Sequence, residues 1–198
     1  MRRPQRYTSF APAYDVMSGE WPLYRVGRVT GIGALRLRLG AVVLDIGCGT
    51  GLNIPLIRAA VGPAGRIVGV DASADMLAQA RAKADRQGWL NRRLGPADRP
   101  DGADAVLFTY SLSVMTNWPQ AWRAATAAAR PGARVAIVDM RTPTGPATAL
   151  APLARLACLL GGSDINAHPW TALERICTDV QAWSLRAGHI QVRAGTLP

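Results

Sequence analysis

VVLDIGCGTGLN, residues 42–53, is the stretch whose reading decides the fold. Val42, Val43, Leu44 and Ile46 make a short apolar run rich in β-branched side chains, the pattern of a buried parallel strand. The run stops at Gly47-Cys48-Gly49-Thr50-Gly51, where glycine at alternate positions leaves the main chain bare toward a ligand. Beyond Leu52 the pattern becomes helical, so the unpaired N–H groups of a helix start point into the same space. A dinucleotide site asks for G-x-G-x-x-G, with its third glycine where the helix packs on the strand. Here the spacing is G-x-G-x-G and Leu52 stands at that position. Asp45, inside the strand just before the first glycine, would repel a pyrophosphate and suits a ligand carrying an ammonium or a sulfonium. IVGVDAS, residues 67–73, is a second apolar strand ending in an acid. Asp71 lies twenty residues beyond Gly51, at a strand tip where a carboxylate can accept from both hydroxyls of a ribose.

A chain of 198 residues is within the single-domain range and long enough to bury a substantial core. Its net charge is +10, with 23 basic residues of which Lys83 is the single lysine. Together with the abundant alanine, glycine and proline, this arginine bias reads as a solvated basic surface; no nucleic-acid partner is expected, and contact with an anionic membrane stays open. Cys48, Cys158 and Cys177 are far apart and make no CxxC or CxxH spacing, so neither a disulfide framework nor a metal site is expected. The N-terminus is basic without the apolar core of a signal peptide, and no apolar run approaches the ~20 residues that span a bilayer. A cytoplasmic protein, soluble or peripheral to the membrane, is the expectation.

LDIGCGTG, VGVDAS and the following DMLAQAR, residues 44–51, 68–73 and 75–81, resemble the first two motifs of the class I S-adenosylmethionine-dependent methyltransferases. That resemblance implies an α/β, Rossmann-like seven-stranded sheet, mostly parallel with an antiparallel C-terminal edge strand and helices on both faces. It implies S-adenosylmethionine as cofactor, held by Asp45, Gly47, Cys48, Gly49, Thr50, Gly51, Asn53, Asp71, Ala72 and Met76, and further along by Ala97, Asp98, Tyr110 and Ser111. YDVMSGEWPLYR, residues 14–25, is similar to the N-terminal segment of the menaquinone, ubiquinone and phospholipid N-methyltransferase groups, in which a helical cover follows a Tyr-Asp pair. Tyr14 and Arg25 would then face cofactor or acceptor. The implied organisation is a helical cover over residues 1–40 and a cofactor-binding domain over 41–198, one structural domain overall.

Along the chain, residues 26–39 read as a helix weakened by Gly27, Gly31 and Gly33. Residues 52–60 read as a core helix with Pro55 in its opening turn, and Ser73 or Ala74 opens another that runs to about Gln87. Residues 92–98 match the family less well, because Gly95-Pro96-Ala97-Asp98 stands where Gly-Asp-Ala is common and Pro96 has no N–H to donate. A third strand there would be short. ADAVLFTY, residues 103–110, is an apolar strand whose carboxyl end places Tyr110, Ser111 and Leu112 where donor and acceptor should meet. A helix over 118–129, capped by Asn117 and closed by Arg130-Pro131-Gly132, precedes a fifth strand over 133–140 that brings Asp139 and Arg141 to the same rim. Residues 149–162 are a mostly apolar helical piece interrupted by Pro152, which as a lid suits a greasy acceptor or a membrane contact. WSLRAGHIQVRAG reads as a hairpin turning at Arg186-Ala187-Gly188.

A sulfonium-bound methyl is already activated, so the protein must mainly hold an acceptor lone pair in line, about 3 Å away, and exclude water. Tyr14, Tyr110, Asp139 and His168 are the candidate catalytic side chains; His189 is assigned no role. The expected activity is methyl transfer to a small or lipophilic acceptor, a lipid amine or quinone-like. A cofactor-binding protein without turnover, or a partner subunit, is the alternative from another class, and a nicotinamide dehydrogenase ranks last because of Leu52.

Overall fold

The computed structural model describes residues 23–89, 92–95 and 102–198. Five parallel strands run from one edge of the sheet to past its middle: β1 (Val42–Ile46), β2 (Arg66–Val70), β3 (Arg92–Gly95), β4 (Ala103–Thr109) and β5 (Ala129–Met140). A hairpin of β6 (Thr178–Leu185) and β7 (Ile190–Thr196) completes it, turning through residues 186–189. The order across the sheet is β3-β2-β1-β4-β5-β7-β6. Strand order therefore reverses between β1 and β4, which opens a crevice outside their carboxyl ends.

Both faces of the sheet are buried over its central strands β1, β4 and β5. Val43, Ala105, Leu107 and Ala136 point into one cluster, while Leu44, Val106, Phe108, Val135 and Ile137 point into the other, the period-two alternation of extended chain. Helices α1 (Arg25–Ala34), α2 (Ile54–Val61) and α3 (Ala74–Arg86) cover the first face through Ile32, Ile57 and Leu77. Helices α4 (Trp118–Ala127) and α6 (Trp170–Ile176) cover the second through Trp122, Trp170 and Leu173. A further helix, α5 (Ala151–Leu160), stands beyond the carboxyl end of β5. No helix among the described residues is long and apolar enough to cross a membrane.

Most local signals act as their chemistry predicts. The Ser73 hydroxyl accepts from the Met76 N–H and opens α3, and Pro55 sits in the first turn of α2, where its missing N–H costs nothing. The third strand is four residues long.

Three expectations need correction. The C-terminal strand is antiparallel, but it is not the edge: β7 inserts between β5 and β6, pairing with both, and β6 takes the edge. A tight hairpin after α6 turns the chain from the edge strand β6 back into β7, which pairs along β5 from Arg134 to Met140. Arg130-Pro131-Gly132 does not separate helix from strand. Ala103 pairs with Ala129 and Ala105 with Arg134, so residues 130–133 form a bulge opposite Asp104 inside β5. Asp104 stabilises that bulge by accepting from Arg130 at 2.7 Å and from the Val42 N–H at 2.6 Å. Finally, Pro152 does not interrupt a helix but begins one, since it falls in the first turn of α5 after a 3-10 turn at Gly145–Leu150.

The glycines that weaken α1 as an isolated helix let it lie close on the sheet. A Cβ added at Gly31 would come within 2.4 Å of Val138 Cγ2, and one at Gly27 within 2.2 Å of the Tyr110 hydroxyl. At Gly33, which faces water, an added Cβ meets nothing within 4 Å. Gly33→Ala is expected to stabilise the protein by about 0.5–1 kcal/mol through helix propensity. Gly31→Ala is expected to destabilise it by about 1–3 kcal/mol through overpacking. Urea unfolding of the two variants checks the opposite signs.

Candidate functional site

The glycine loop after β1 is folded back on β2. The Gly47 and Cys48 N–H groups donate to the Val70 carbonyl at 2.7 and 3.1 Å. The Gly49 N–H donates to Asp71 Oδ2 at 2.9 Å, and the Ser73 N–H to Asp71 Oδ1 at 2.9 Å. Gly47 has φ +69°, and a Cβ there would lie 2.4 Å from Ser111 Cβ, so the loop passes β4 only because glycine occupies the position. Ser111 in turn donates from Oγ to the Ile46 carbonyl at 2.8 Å, tying the carboxyl ends of β1 and β4 together. An added Cβ at Gly49 meets nothing within 4 Å, so the crest of the loop presents bare backbone to open space.

Beneath the loop lies a buried polar square. Asn53, at the start of α2, donates from Nδ2 to Asp45 Oδ1 at 2.8 Å and to Thr109 Oγ1 at 2.7 Å. Arg28 of α1 donates from one terminal nitrogen to Asn53 Oδ1 and to Thr109 Oγ1. Asn53 therefore spends its amide on this square and makes no side-chain cap on its own helix. All four residues are buried. Among the described residues, Asp45 Oδ2 has no hydrogen-bond partner. Burial pushes the Asp45 carboxyl up to about 7, against the opposing pull of the Asn53 bond and the Arg28 charge. A buried carboxylate oxygen without a donor is costly, and a cationic ligand group would relieve that cost.

Tyr110 follows β4 with φ +53°, an uncommon conformation for a residue with a Cβ. Its ring meets that of Tyr24 edge-on at 5.0 Å, its hydroxyl donates to the Tyr24 carbonyl at 2.8 Å, and the Arg28 guanidinium lies 5.8 Å from its centroid. Tyr24 also approaches His189, with its hydroxyl 3.4 Å from Nε2. His189 Nδ1 lies 2.7 Å from the Arg141 carbonyl at the end of β5.

Of the expected cofactor contacts, the structure brings together Asp45, Gly47, Cys48, Gly49, Thr50, Gly51, Asn53, Asp71, Tyr110 and Ser111 at the carboxyl ends of β1, β2 and β4. Cys48 and Thr50 are buried in the loop, and desolvation raises the Cys48 thiol out of reach of ionisation. Met76 is buried in α3 and Ala72 is exposed before it. Ala97, Asp98 and Tyr14 lie outside the described residues.

The remaining candidates for proton removal are placed elsewhere or already engaged. Asp139 is fully buried: Oδ1 accepts from the Ser113 hydroxyl at 2.6 Å and the Met140 N–H at 2.9 Å, Oδ2 from the Ser113 N–H at 3.1 Å. Burial raises its carboxyl to about 6, and its bonds lock the 3-10 turn at Leu112–Val114 onto β5. His168 stands at the entry to α6, its ring 4.9 Å from that of Trp170, on the face opposite α1. Arg25 is half-buried; the guanidinium that reaches the site belongs to Arg28, nearly one turn further on. Arg28, Thr109, Tyr24 and His189 were the residues missed. The one available signal was Arg28 itself, a charge on the same helix face as Gly27 and Gly31.

Residues 44–135 match the model of a methyltransferase domain. The 2-phytyl-1,4-naphthoquinone methyltransferase of Thermosynechococcus vestitus is 32% identical over 69% of this chain and 64% of its own length. The ubiquinone/menaquinone biosynthesis C-methyltransferase of Hahella chejuensis is 30% identical over 71% of this chain and 60% of its own. The chain thus spans less than two thirds of either relative. Among solved structures, the Haloferax volcanii methyltransferase crystallised with the Trm112 activator superposes over 100% of both chains with TM-score 0.73 and 14% identity. An S-adenosylmethionine-dependent methyltransferase of Aquifex aeolicus gives TM-score 0.64 over 92% of this chain and 97% of that one, at 16% identity. These identities support likeness of fold.

The donor set fits S-adenosylmethionine: an orphaned buried carboxylate oxygen for a cationic group, a bare glycine crest for close approach, and Asp71 at the tip of β2 with lone pairs to spare for a ribose. Asp71→Ala is expected to weaken S-adenosylmethionine binding tenfold or more by calorimetry, since about 1.5–3 kcal/mol per charge-assisted bond is lost; an unchanged affinity would remove it from the ribose site. A second test uses pH. The folded-state carboxyl of Asp45 stands at about 7 against an ordinary 3.8, so between these values the folded protein holds a proton that the unfolded chain releases. Stability therefore falls as pH rises through that window, with Asp139 adding to the fall up to about 6. Asp45→Asn should flatten the decline in denaturant midpoint between pH 4 and 7 while weakening cofactor binding.

Proposed function

We propose that the chain, whose residues 44–135 match a methyltransferase domain, is a class I S-adenosylmethionine-dependent methyltransferase that methylates a lipophilic, quinone-like aromatic acceptor at a membrane surface. The observation that carries this reading is α5. Its inner side, Ala154 and Cys158, packs with Met140 and Ile165 against Tyr24 and Tyr110 at the rim. Its outer side is leucine in water: Leu153 is 65% exposed, Leu156 50% and Leu160 76%, with Arg155 as the single charge in the helix. Three and seven residues apart, these side chains share one face. A helix that covers the rim yet presents leucine outward suits a site loaded from an apolar phase, and the net charge of +10 favours an anionic one. The two quinone methyltransferases above support an aromatic acceptor.

Bound in the crevice, S-adenosylmethionine supplies a methyl group already activated by a positively charged sulfur. Asp45 and the Gly49 crest hold its amino-acid end, and Asp71 its ribose. The Tyr24 and Tyr110 rings, aided by the inner side of α5, hold a flat acceptor and keep water out. Helix α1 belongs to the cover over this site and to the same structural domain as the sheet it packs on. A cytoplasmic protein resting on the membrane through α5 accounts for these features together.

The test is transfer of a labelled methyl group from S-adenosylmethionine into a reduced membrane extract of quinone-containing cells, split between organic and aqueous phases. Label in the organic phase is expected. Label confined to the aqueous phase would overturn the lipophilic acceptor, and cofactor binding with no transfer into either phase would favour a partner subunit without turnover.

A further inference from the structure

The contacts that tie Asp139 to Ser113 lead away from the cofactor loop and toward α5. Asp139 has no exposed surface; its Oδ1 accepts from the Ser113 hydroxyl at 2.6 Å and its Oδ2 from the Ser113 N–H at 3.1 Å. The remaining polar group of Ser113 is its carbonyl, which accepts from the Asp164 N–H at 2.9 Å. Asp164 lies four residues beyond the last residue of α5, and the Ser163 N–H joins that segment to the helix by donating to the Cys158 carbonyl at 2.8 Å. The carboxyl end of α5 is thus tied to β5 through one serine. At the other end the Thr144 N–H donates to the Ala187 carbonyl, on the turn between β6 and β7, at 2.9 Å. Between these two ties stand glycines with positive φ, Gly145 at +62° and Gly162 at +75°. The helix itself buries two side chains, Ala151 and Cys158. The Cys158 sulfur lies 3.7 Å from that of Met140, the residue after Asp139, so the serine-tied end lies against the sheet beside the rim. A helix with so little buried surface, tied at its ends and flanked by glycine, belongs to the low-stability part of a fold.

We propose that Asp139 is a positioning residue that, acting through Ser113, latches the carboxyl end of α5 over the site, and that release of this latch lets α5 swing about Gly145 to open the acceptor side. The reason for a carboxylate is geometric. An apolar side chain at 139 would fill the space at less desolvation cost, but it would hold Ser113 in no fixed orientation. The carboxylate takes both donors of one residue and so fixes the direction of its carbonyl, the group to which Asp164 is bound. Opening then breaks one backbone bond and the contact of Cys158 with Met140. The Ser113 carbonyl, once free of Asp164, can be met by water, while Asp139 and Ser113 stay paired. The buried carboxylate is therefore satisfied in both positions of the helix, and the open position costs little more than the apolar contacts it gives up.

The test is native-state hydrogen exchange of the full chain read by mass spectrometry, with alkylation of Cys158 by a maleimide as a second clock. Cys158 is 3% exposed and meets the reagent when α5 lifts. In the wild-type protein residues 151–160 should exchange ahead of β1 and β4; exchange of α5 in step with those strands would mean that it opens only on global unfolding, and would overturn the latch. Asp139→Asn turns an amide donor toward the Ser113 N–H, and Ser113→Ala removes the hydroxyl. Each is expected to speed exchange of α5 and alkylation of Cys158 about threefold or more. Asp164→Pro, at an exposed position, deletes the donor itself and should give the largest increase. Urea unfolding separates a latch from mere support. If the α5 and Cys158 rates stay at wild-type values while the denaturant midpoint falls, α5 moves independently of Asp139 and the proposal is overturned. The effect on turnover rests on the acceptor reading above: label transfer into the membrane extract should slow about threefold or more while S-adenosylmethionine affinity by calorimetry changes less than about twofold. A loss confined to cofactor affinity would overturn the latch. No transfer by the wild-type protein would overturn the acceptor reading instead, and exchange and alkylation would still decide the latch.

Discussion

A carboxylate is buried at the carboxyl end of β1, and the construction of the site depends on it. Asp45 has no exposed surface, and one of its oxygens finds no donor among the described residues. Such a group is tolerated only where neighbours compensate, and the compensation draws four elements to one point: β1 itself, β4 through Thr109, α2 through Asn53 and α1 through Arg28. Arg28 does not pair with Asp45 directly. Its positive charge acts on the carboxylate across the square, while Asn53 supplies the hydrogen bond to Asp45 Oδ1. Stability given up at a binding site in this way is what a ligand can return.

Arg28 can reach that square only because α1 lies unusually close to the sheet. Gly27 and Gly31 remove the side chains that would strike Tyr110, Ile190 and Val138. The same approach sets Tyr24, at the start of α1, against the Tyr110 ring and within reach of His189. One packing decision therefore serves both halves of the site: the polar square under the cofactor loop and the aromatic rim where the acceptor would lie. The positive φ of Tyr110 belongs to this arrangement, since it aims the ring beneath α1 and sends its hydroxyl to the Tyr24 carbonyl.

Across the rim the polarity reverses. The loop and strand ends offer backbone donors and carboxylates, whereas α5 offers leucine on its outside and small residues on its inside. Pro152 starts this helix sharply after the 3-10 turn, so the leucines fall on one outward face instead of being split by a kink. Under the proposed function, the polar cofactor and the greasy acceptor would meet different surfaces of the site.

The glycine loop, Asp71, the alternating apolar strands and the hairpin were legible in the sequence because each rests on chemistry local to a few residues. Glycine spacing, an acid at a strand tip and period-two burial mean the same thing in almost any surroundings. Helix starts at Ser73 and Pro55 belong with them. The burial of Asp139 under Ser113, the separation of His168 from the α1 face, and the placing of β7 inside the sheet with β6 at its edge were not legible, because each depends on which distant segment arrives alongside. His189 read as an idle strand residue until Arg141 and Tyr24, 48 and 165 positions away, were seen on either side of its ring. The sequence alone determined the glycine loop and the acids on β1 and at the tip of β2, because each of these signals is local to a few residues. Only the tertiary structure decided the aromatic rim, because Tyr24, Tyr110 and His189 come from distant parts of the chain and meet only through packing.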